Sequence, residues 1–229
     1  MENQPKRNPR KICFIMCVND AMYEEECVRY IRNLHVPEGY EVEMLSVWNA
    51  SSMTAGYNEG MRESDAKYKV YLHQDVFIVY KEFIRDMLRL FEDEETGMIG
   101  LVGSVKMPAS GIMWADERIG RIYSTNHIQS AEVSFGEVRQ MPCQEVEAVD
   151  GLLMATQYDV PWREDLFSGW DFYDISQAME MRRRGYRVVV PCTQSSWVLH
   201  DDGFSNLDAY FGWRDVFLKE YGSEMLCNE

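Results

Sequence analysis

Two side chains that can bind a divalent cation stand two residues apart after a short apolar run. His73 and Asp75 follow Tyr-Leu and flank a glutamine, and an extended chain directs both side chains to the same side. An imidazole nitrogen and a carboxylate oxygen together suit a hard or borderline divalent ion. His200 ends a second short apolar run and could supply a further ligand. The alternative is a structural role, in which the histidines are hydrogen-bonded at strand ends and the aspartate caps a helix.

A second group of acidic residues opens a predicted helix over residues 171–184, which Gly185 ends. Ser168 and Asp171 have the spacing of a capping box, so Asp171 could serve only to stabilise the start of the helix. Asp174 is not needed for that cap and lies on the same helix face. A carboxylate at a helix N-terminus tends to stay ionised, as a general base requires. An acidic first turn with no further role remains the alternative.

A third motif is Asp150-Gly151, which precedes an apolar run. Gly151 permits close approach to the backbone, and Asp150 could hydrogen-bond a hydroxyl-rich ligand; a plain turn before a buried strand is the alternative. Aromatic rings that could stack on a sugar are frequent near all three motifs, although most such rings in a chain of this size belong to the core. They are Trp114, Trp162, Trp170, Tyr173 and Trp197.

The elements that must position these side chains alternate over the first half of the chain. Apolar runs predict strands and amphipathic spacing predicts helices. The strands are expected at residues 11–18, 41–47, 68–72 and 97–105, and the helices at residues 21–34, 55–64 and 81–92. This order predicts a mostly parallel sheet with right-handed crossovers. Ligands of such sheets bind at the carboxyl ends of the strands, where His73 and Asp75 lie.

The second half of the chain is less regular. Residues 108–140 show no period and predict loops or a small hairpin. Strand-like character returns at residues 145–156, 186–190 and 197–200, and an aromatic-rich helix is expected over residues 205–221. That helix could pack against its own core or against a second copy in a homo-oligomer.

Composition limits the class of protein. The chain has 229 residues, of which 46% are hydrophobic, and this is enough for one sizeable α/β core. The net charge of −15 argues against nucleic acid as a partner, although a divalent cation can join an acidic protein to a phosphate ligand. No apolar run is long enough to span a bilayer, and the six cysteines form no CxxC pair. We therefore expect a reducing, cytoplasmic setting, with peripheral attachment to the inner membrane face left open.

Taken in order, the motifs resemble those of glycosyltransferase family 2, the GT-A-fold enzymes that use nucleotide-diphosphate sugars. A bacterial glycosyltransferase-like subgroup is the most similar, and the resemblance extends over residues 11–221. It is carried by residues 12–20, 55–60, 68–76, 149–156, 172–175 and 197–200.

The resemblance implies an α/β, GT-A-type single domain with a mostly parallel central sheet and a smaller acceptor-side sheet. A flexible N-terminus would cover residues 1–10 and the domain residues 11–229. Within the domain, residues 11–105 would bind the nucleotide and residues 106–229 the acceptor.

The resemblance also assigns roles to residues. The family's Asp-x-Asp metal motif falls on His73-Gln74-Asp75, where only the second acid matches, and His200 resembles a late histidine near the metal. The catalytic aspartate of a Glu-Asp pair falls on Asp174, with Tyr173 in place of the glutamate, and Asp171 is the second choice. Contacts to the donor nucleotide sugar are implied for Asn19, Val47, Asn49, Asn58, His73 and Gly151.

The implied reaction moves a sugar from a nucleotide-diphosphate sugar to a hydroxyl of a glycan, lipid-linked or protein acceptor. Asp75, His73 and His200 would hold Mn²⁺ or Mg²⁺ on the diphosphate, and Asp174 would take the acceptor proton, with inversion at the sugar carbon. The setting would be the synthesis of bacterial surface glycans or related glycoconjugates.

Two other functions compete with transfer. The departures at His73 and Tyr173 motivate a non-catalytic nucleotide- or carbohydrate-binding protein that retains the fold. A sugar-nucleotidyltransferase needs a Gly-rich, basic loop after the first strand, whereas residues 19–26 are acidic and contain no glycine.

Overall fold

The computed structural model of the protein describes residues 7–125, 129–137, 140–201, 203 and 207–226. Within these ranges the chain forms a seven-stranded sheet, a six-stranded sheet and five α-helices. Residues 1–6 of the predicted N-terminal segment, residues 205 and 206 of the predicted last helix, and Cys227 lie outside the described residues.

The strands in chain order are β1 (Asn8–Val18), β2 (Glu41–Trp48), β3 (Ala66–His73), β4 (Val76–Ile78), β5 (Thr96–Gly100), β6 (Val102–Ser104), β7 (Arg118–Thr125), β8 (Ser130–Phe135), β9 (Cys143–Glu145), β10 (Ala148–Val149), β11 (Leu153–Thr156), β12 (Arg187–Pro191) and β13 (Val198–Asp201). The α-helices are α1 (Ala21–Arg32), α2 (Met53–Glu63), α3 (Phe83–Leu90), α4 (Tyr173–Arg183) and α5 (Tyr210–Leu226), and a short 3₁₀ helix covers Met113–Ala115.

The seven-stranded sheet confirms the prediction of a mostly parallel sheet. Its order is β2-β1-β3-β11-β5-β12-β9. β1 pairs in parallel with β2 and β3, and β12 pairs in parallel with β5. Because β11 is antiparallel to both β3 and β5, those two strands share one direction. Five strands therefore run the same way, and only β11 and β9 oppose them.

Helices cover both faces of this sheet, as the continuous apolar run of β1 predicts. Ile12, Phe14 and Met16 pack with side chains of α1 and α3 on one face. Cys13 and Cys17 face the opposite side, where α2 and α4 pack, and are core thiols as expected. Burial raises the pKa of each of these two thiols to about 12. In the part of the chain that the structure describes, no helix is both long and apolar enough to cross a bilayer.

The smaller sheet has the order β10-β6-β7-β13-β4, with β8 paired to β7. The β7–β8 hairpin confirms the small hairpin expected in residues 108–140. The single strand predicted at residues 97–105 was wrong, because this run forms β5 and β6, which lie in different sheets. The strand-like character expected at residues 145–156 is confirmed: it comprises the last residue of β9, then β10 and β11. β1 also begins at Asn8, inside the segment predicted to be a flexible terminus.

The chain crosses from one sheet to the other at four connections of one to three residues. β3 continues into β4 through Gln74-Asp75, β5 into β6 through Leu101, β9 into β10 through residues 146–147, and β10 into β11 through residues 150–152. Two of these crossings carry motifs for which the sequence predicts chemistry. The junction between the sheets is therefore where the functional side chains are positioned.

Candidate active site

Three potential metal ligands meet at the crossing from β3 to β4. β4 begins directly after Asp75 and pairs with β13 so that Val76 lies opposite His200. This register places Nε2 of His200 3.7 Å from Oδ1 of Asp75, and Nδ1 of His73 lies 4.0 Å from the same oxygen. The three ligand atoms all lie within 4.8 Å of one another, as three ligands of one ion at ~2.0–2.2 Å must.

The chemistry of this donor set fits a borderline divalent ion. Two imidazole nitrogens and one carboxylate oxygen suit Mn²⁺ better than Mg²⁺, which prefers oxygen ligands throughout. Burial lowers the pKa of His73, although the negative charge of Asp150 acts in the opposite direction. The lowered pKa favours the neutral imidazole, which is the form that binds a metal.

Gln74, between the two predicted ligands, has a role that the sequence did not reveal. Its Oε1 accepts hydrogen bonds from the backbone N–H groups of Asn19 and Asp20, both at 3.0 Å. Its Nε2 donates to Oδ1 of Asn19 at 2.6 Å. Gln74 therefore ties the end of β1, where the nucleoside is expected, to the crossing that carries the candidate metal ligands.

Helix α4 places a second acidic group in the same region. The helix begins at Tyr173, and its N-cap Phe172 has φ 60° and forms no side-chain cap. The capping box predicted for Ser168 and Asp171 is thus not formed, because the helix starts two residues after Asp171. That correction removes the structural role proposed for Asp171.

Asp174 lies in the first turn of α4 and is mostly buried. Its Oδ2 accepts the N–H of Gly151 at 2.9 Å, and its Oδ1 accepts the N–H of Ile175 at 2.8 Å. Burial raises the pKa of Asp174 to about 7, and the charge of Asp150 adds to that rise while the backbone hydrogen bonds oppose it. Burial also raises the pKa of Asp171. A carboxyl that titrates near neutral pH is suited to general base catalysis.

One cavity of about 440 Å³ brings two of the three candidate metal ligands together with three acids. Its lining includes His73 and His200, the three acids Asp150, Asp171 and Asp174, and the aromatic residues Trp114, Trp170 and Tyr210. A larger cavity of about 590 Å³ is lined by residues from α3 and the β12–β13 connection and contains none of these groups.

The predicted sugar-stacking rings divide into two sets. Trp114 and Trp170 line the cavity and are 38% and 52% exposed. Trp162 and Trp197 are 2% and 6% exposed and belong to the core. Tyr173 is buried but reaches the cavity, where its hydroxyl contacts Nε2 of His73.

Some residues assigned to the donor by resemblance are placed differently. Asn58 is buried on α2, where its amide bonds the backbone N–H and C=O of Trp162, at 2.9 Å each, and the carboxylate of Glu164. It anchors the segment around Trp162 and does not line the cavity. The side chain of Val47 is 6% exposed, so only its backbone could face a ligand.

Of the other residues assigned to the donor, Asn19 and Asn49 are exposed to solvent, and Gly151 also makes room for a neighbouring side chain. Asn19 and Asn49 are exposed after β1 and β2, and Asn49 has φ 57°. Gly151 lines the cavity, but a Cβ there would collide with the hydroxyl of Tyr173. The close approach at this glycine in the structure is made by Tyr173, and its contact to the donor stays a prediction.

Comparison with known proteins identifies the class. Residues 13–221 match the model of the glycosyltransferase-like family, so the chain belongs to this family. No curated protein matches the sequence.

Solved structures share the fold. The chain superposes on residues 1–349 of S. aureus TarS in complex with UDP with TM-score 0.56 and 10% identity, covering 92% of this chain and 65% of that one. The mannosyltransferase PcManGT from Pyrobaculum calidifontis, in complex with GDP-Man and Mn²⁺, gives TM-score 0.55, 13% identity and coverage of 92% and 61%. GalNAc-T7 with UDP, GalNAc and Mn²⁺ gives TM-score 0.56, 10% identity and coverage of 89% and 45%. These matches confirm the GT-A fold, and the chain spans less than two thirds of the length of each structure.

Proposed function

We propose that this protein transfers a sugar from a nucleotide-diphosphate sugar to an acceptor hydroxyl. One observation carries the proposal: a single cavity is lined by both histidines of the His-Asp-His cluster and by a carboxyl whose pKa is raised to about 7. The chain belongs to the glycosyltransferase-like family, and sugar transfer gives both groups a chemical role.

The donor diphosphate would bind at His73, Asp75 and His200. A Mn²⁺ ion held there would neutralise the diphosphate and stabilise the charge that develops on the leaving group. Such an ion would offset the repulsion between the phosphate ligand and a protein whose net charge is −15. Mn²⁺ in the PcManGT and GalNAc-T7 complexes supports this choice of ion. Asn19 and Asn49, exposed at the ends of β1 and β2, would bind the nucleoside.

Asp174 would accept the proton of the acceptor hydroxyl as that oxygen attacks the anomeric carbon. A single displacement from the face opposite the leaving group inverts the configuration at that carbon. Base catalysis of this kind contributes ~10²–10⁴-fold to the rate. Asp171, which lines the same cavity, is the second candidate for the base.

The acceptor would enter beside Trp114 and Trp170, whose exposed indole faces suit the CH-rich face of a sugar ring. A glycan or a glycan-bearing lipid or protein fits this lining, and the synthesis of surface glycans is the biological setting we propose. Residues 11–105 would then bind the nucleotide and residues 106–229 would form most of the acceptor side.

The first test is calorimetric titration of UDP and GDP into the protein with Mn²⁺ and with chelator. We expect binding of one nucleotide that requires Mn²⁺ and is lost in Asp75→Asn, but retained in the control His35→Gln. His35 is exposed and pairs with Glu82, away from the cluster in the sequence and not among the cavity residues. Absence of binding by either nucleotide under all conditions would overturn the proposed donor site.

The second test measures donor consumption in Asp174→Asn and Asp171→Asn. We expect the larger loss in Asp174→Asn, on the order of 10²-fold or more. A larger loss in Asp171→Asn would transfer the role of base to that residue. Mn²⁺-dependent nucleotide binding with no turnover of any donor would instead favour a non-catalytic binding protein.

A further inference from the structure

The two ring nitrogens of His73 have different neighbours. Nδ1 faces the metal cluster, 4.0 Å from Oδ1 of Asp75, whereas Nε2 contacts the hydroxyl of Tyr173. A neutral imidazole has one N–H group and one nitrogen with a free lone pair, and only the latter can bind a metal. The hydrogen bond at Nε2 therefore decides whether Nδ1 is available to the ion.

The hydroxyl of Tyr173 is held at this place by its surroundings. The Tyr173 ring is 4% exposed and packs edge-on against Tyr57, with ring centroids 5.9 Å apart. Its centroid also lies 6.3 Å from that of Trp162. On the other side, the missing side chain of Gly151 leaves the space that the hydroxyl occupies. The ring cannot move away without disturbing the core.

We propose that Tyr173 is a positioning residue of the metal site, which accepts the N–H of His73 Nε2 and so fixes the tautomer whose Nδ1 binds the ion. The inference rests on the proposed metal site. In metal sites generally, the outer hydrogen bond of a ligating histidine sets both its tautomer and the orientation of its ring.

The same arrangement connects the metal ligand to the proposed base. The N–H of Gly151 donates a hydrogen bond to Oδ2 of Asp174. The hydroxyl of Tyr173 occupies the space that a side chain at Gly151 would fill. Tyr173 and Asp174 are adjacent at the start of α4. The N-terminus of this helix therefore positions both the hydroxyl that contacts His73 and the carboxylate of the proposed base.

The tautomer can be measured without metal or substrate. Long-range proton–nitrogen correlation spectra of metal-free protein with isotope-labelled histidine, at mildly alkaline pH, report which ring nitrogen carries the proton. The chain has four histidines, so His73→Gln assigns the resonance. We expect the proton on Nε2 in the wild-type protein and in Tyr57→Phe, and a loss of that preference in Tyr173→Phe. Tyr57→Phe is the matched control, because it removes a buried hydroxyl from the same aromatic cluster.

The second readout is the affinity for Mn²⁺ alone. Tyr173→Phe retains the ring and its packing, and we expect its Mn²⁺ affinity to fall by about 10–100-fold, with Tyr57→Phe unchanged. A wild-type His73 with its proton on Nδ1 would overturn the proposal, and so would a Tyr173→Phe protein with unchanged tautomer and Mn²⁺ affinity. A proton on Nδ1 in the wild-type spectrum would overturn the proposal even if the variant fails to fold. Mn²⁺ binding that is unaffected by His73→Gln would instead refute the metal site of the proposed function, while the tautomer measurement would still be valid.

Discussion

Oδ1 of Asp75 lies 3.7 Å from Nε2 of His200, although the first residue belongs to the crossing out of the large sheet and the second to a strand of the small sheet. The contact depends on the antiparallel register that sets Val76 opposite His200. A one-residue shift of β13 would turn the imidazole to the other face of the sheet and away from the carboxylate. The arrangement of these candidate metal ligands is thus a property of the junction between the sheets.

The first prediction concerns that cluster. His200→Gln is expected to weaken Mn²⁺ binding by about 100-fold, because it removes one of three protein ligands. The wild-type protein is expected to bind Mn²⁺ more tightly than Mg²⁺, because two of the ligands are nitrogens. Calorimetry with each ion checks both statements, and His35→Gln is the control for loss of a histidine. Equal affinity of the His200→Gln and wild-type proteins for Mn²⁺ would exclude His200 from the site.

The second prediction follows from the raised pKa of Asp174, which is about 7. A general base must be ionised, so kcat/KM for donor turnover is expected to fall about tenfold per pH unit below pH 7. Asp150→Asn removes a negative charge that helps to raise this pKa, so the acid limb of the profile is expected to move to lower pH. The asparagine retains the oxygen that accepts the N–H of Leu152, which preserves the local turn. An acid limb that stays in place in Asp150→Asn would show that another group controls the pH dependence.

Much of the fold follows from local patterns in the sequence. The uninterrupted apolar run of β1 predicts a strand that is covered on both faces, and Ile12 and Cys13 do face opposite layers. The spacing of His73 and Asp75 places both at the end of β3, as expected. These features depend on one stretch of chain at a time, and periodicity is sufficient to reveal them.

The features that the sequence did not reveal depend on pairing between distant segments. Leu101 lies in the middle of an apolar run, and nothing local shows that the flanking residues pair with different sheets. The side-chain amide of Asn58 could bind a nucleotide or a backbone equally well. It binds the backbone because the fold brings Trp162, 104 residues later in the chain, next to it. The sequence does contain one indication of the contact to His73. It has Tyr173 where the family has a glutamate, and it has a glycine, Gly151, that leaves room for the tyrosine hydroxyl.

The third prediction separates two of the three asparagines that the resemblance assigned to the donor, Asn58 and Asn19. Asn58→Ala is expected to lower the free energy of unfolding by about 3 kcal/mol, because it leaves a buried N–H and C=O of Trp162 without partners. Its affinity for nucleotide is expected to stay unchanged below the unfolding transition. Asn19→Ala should show the reverse pattern, since Asn19 is exposed beside the crossing that carries the candidate metal ligands. Urea denaturation and nucleotide titration of both variants check this, and a loss of nucleotide affinity in Asn58→Ala alone would restore its assignment to the donor site.

The fourth prediction concerns the aromatic lining of the cavity. Trp170 is 52% exposed, so Trp170→Ala is expected to leave Tm almost unchanged while it raises the KM for the acceptor. Removal of the stacking face should weaken acceptor binding by about 1–2 kcal/mol, or about 10-fold, with the affinity for nucleotide unchanged. Phe211→Ala is the matched control, because Phe211 is 56% exposed but does not line the cavity.

Trp162→Ala provides the opposite case. Its indole is 2% exposed and packs against Tyr57 and Tyr71, so its loss is expected to cost about 3–5 kcal/mol of stability. Since both substitutions remove an indole, the difference between them isolates the contribution of the cavity surface. If Trp170→Ala weakened Mn²⁺-dependent nucleotide binding and left the acceptor KM unchanged, the exposed indole would face the donor, and the acceptor would have to enter from the side of Trp114.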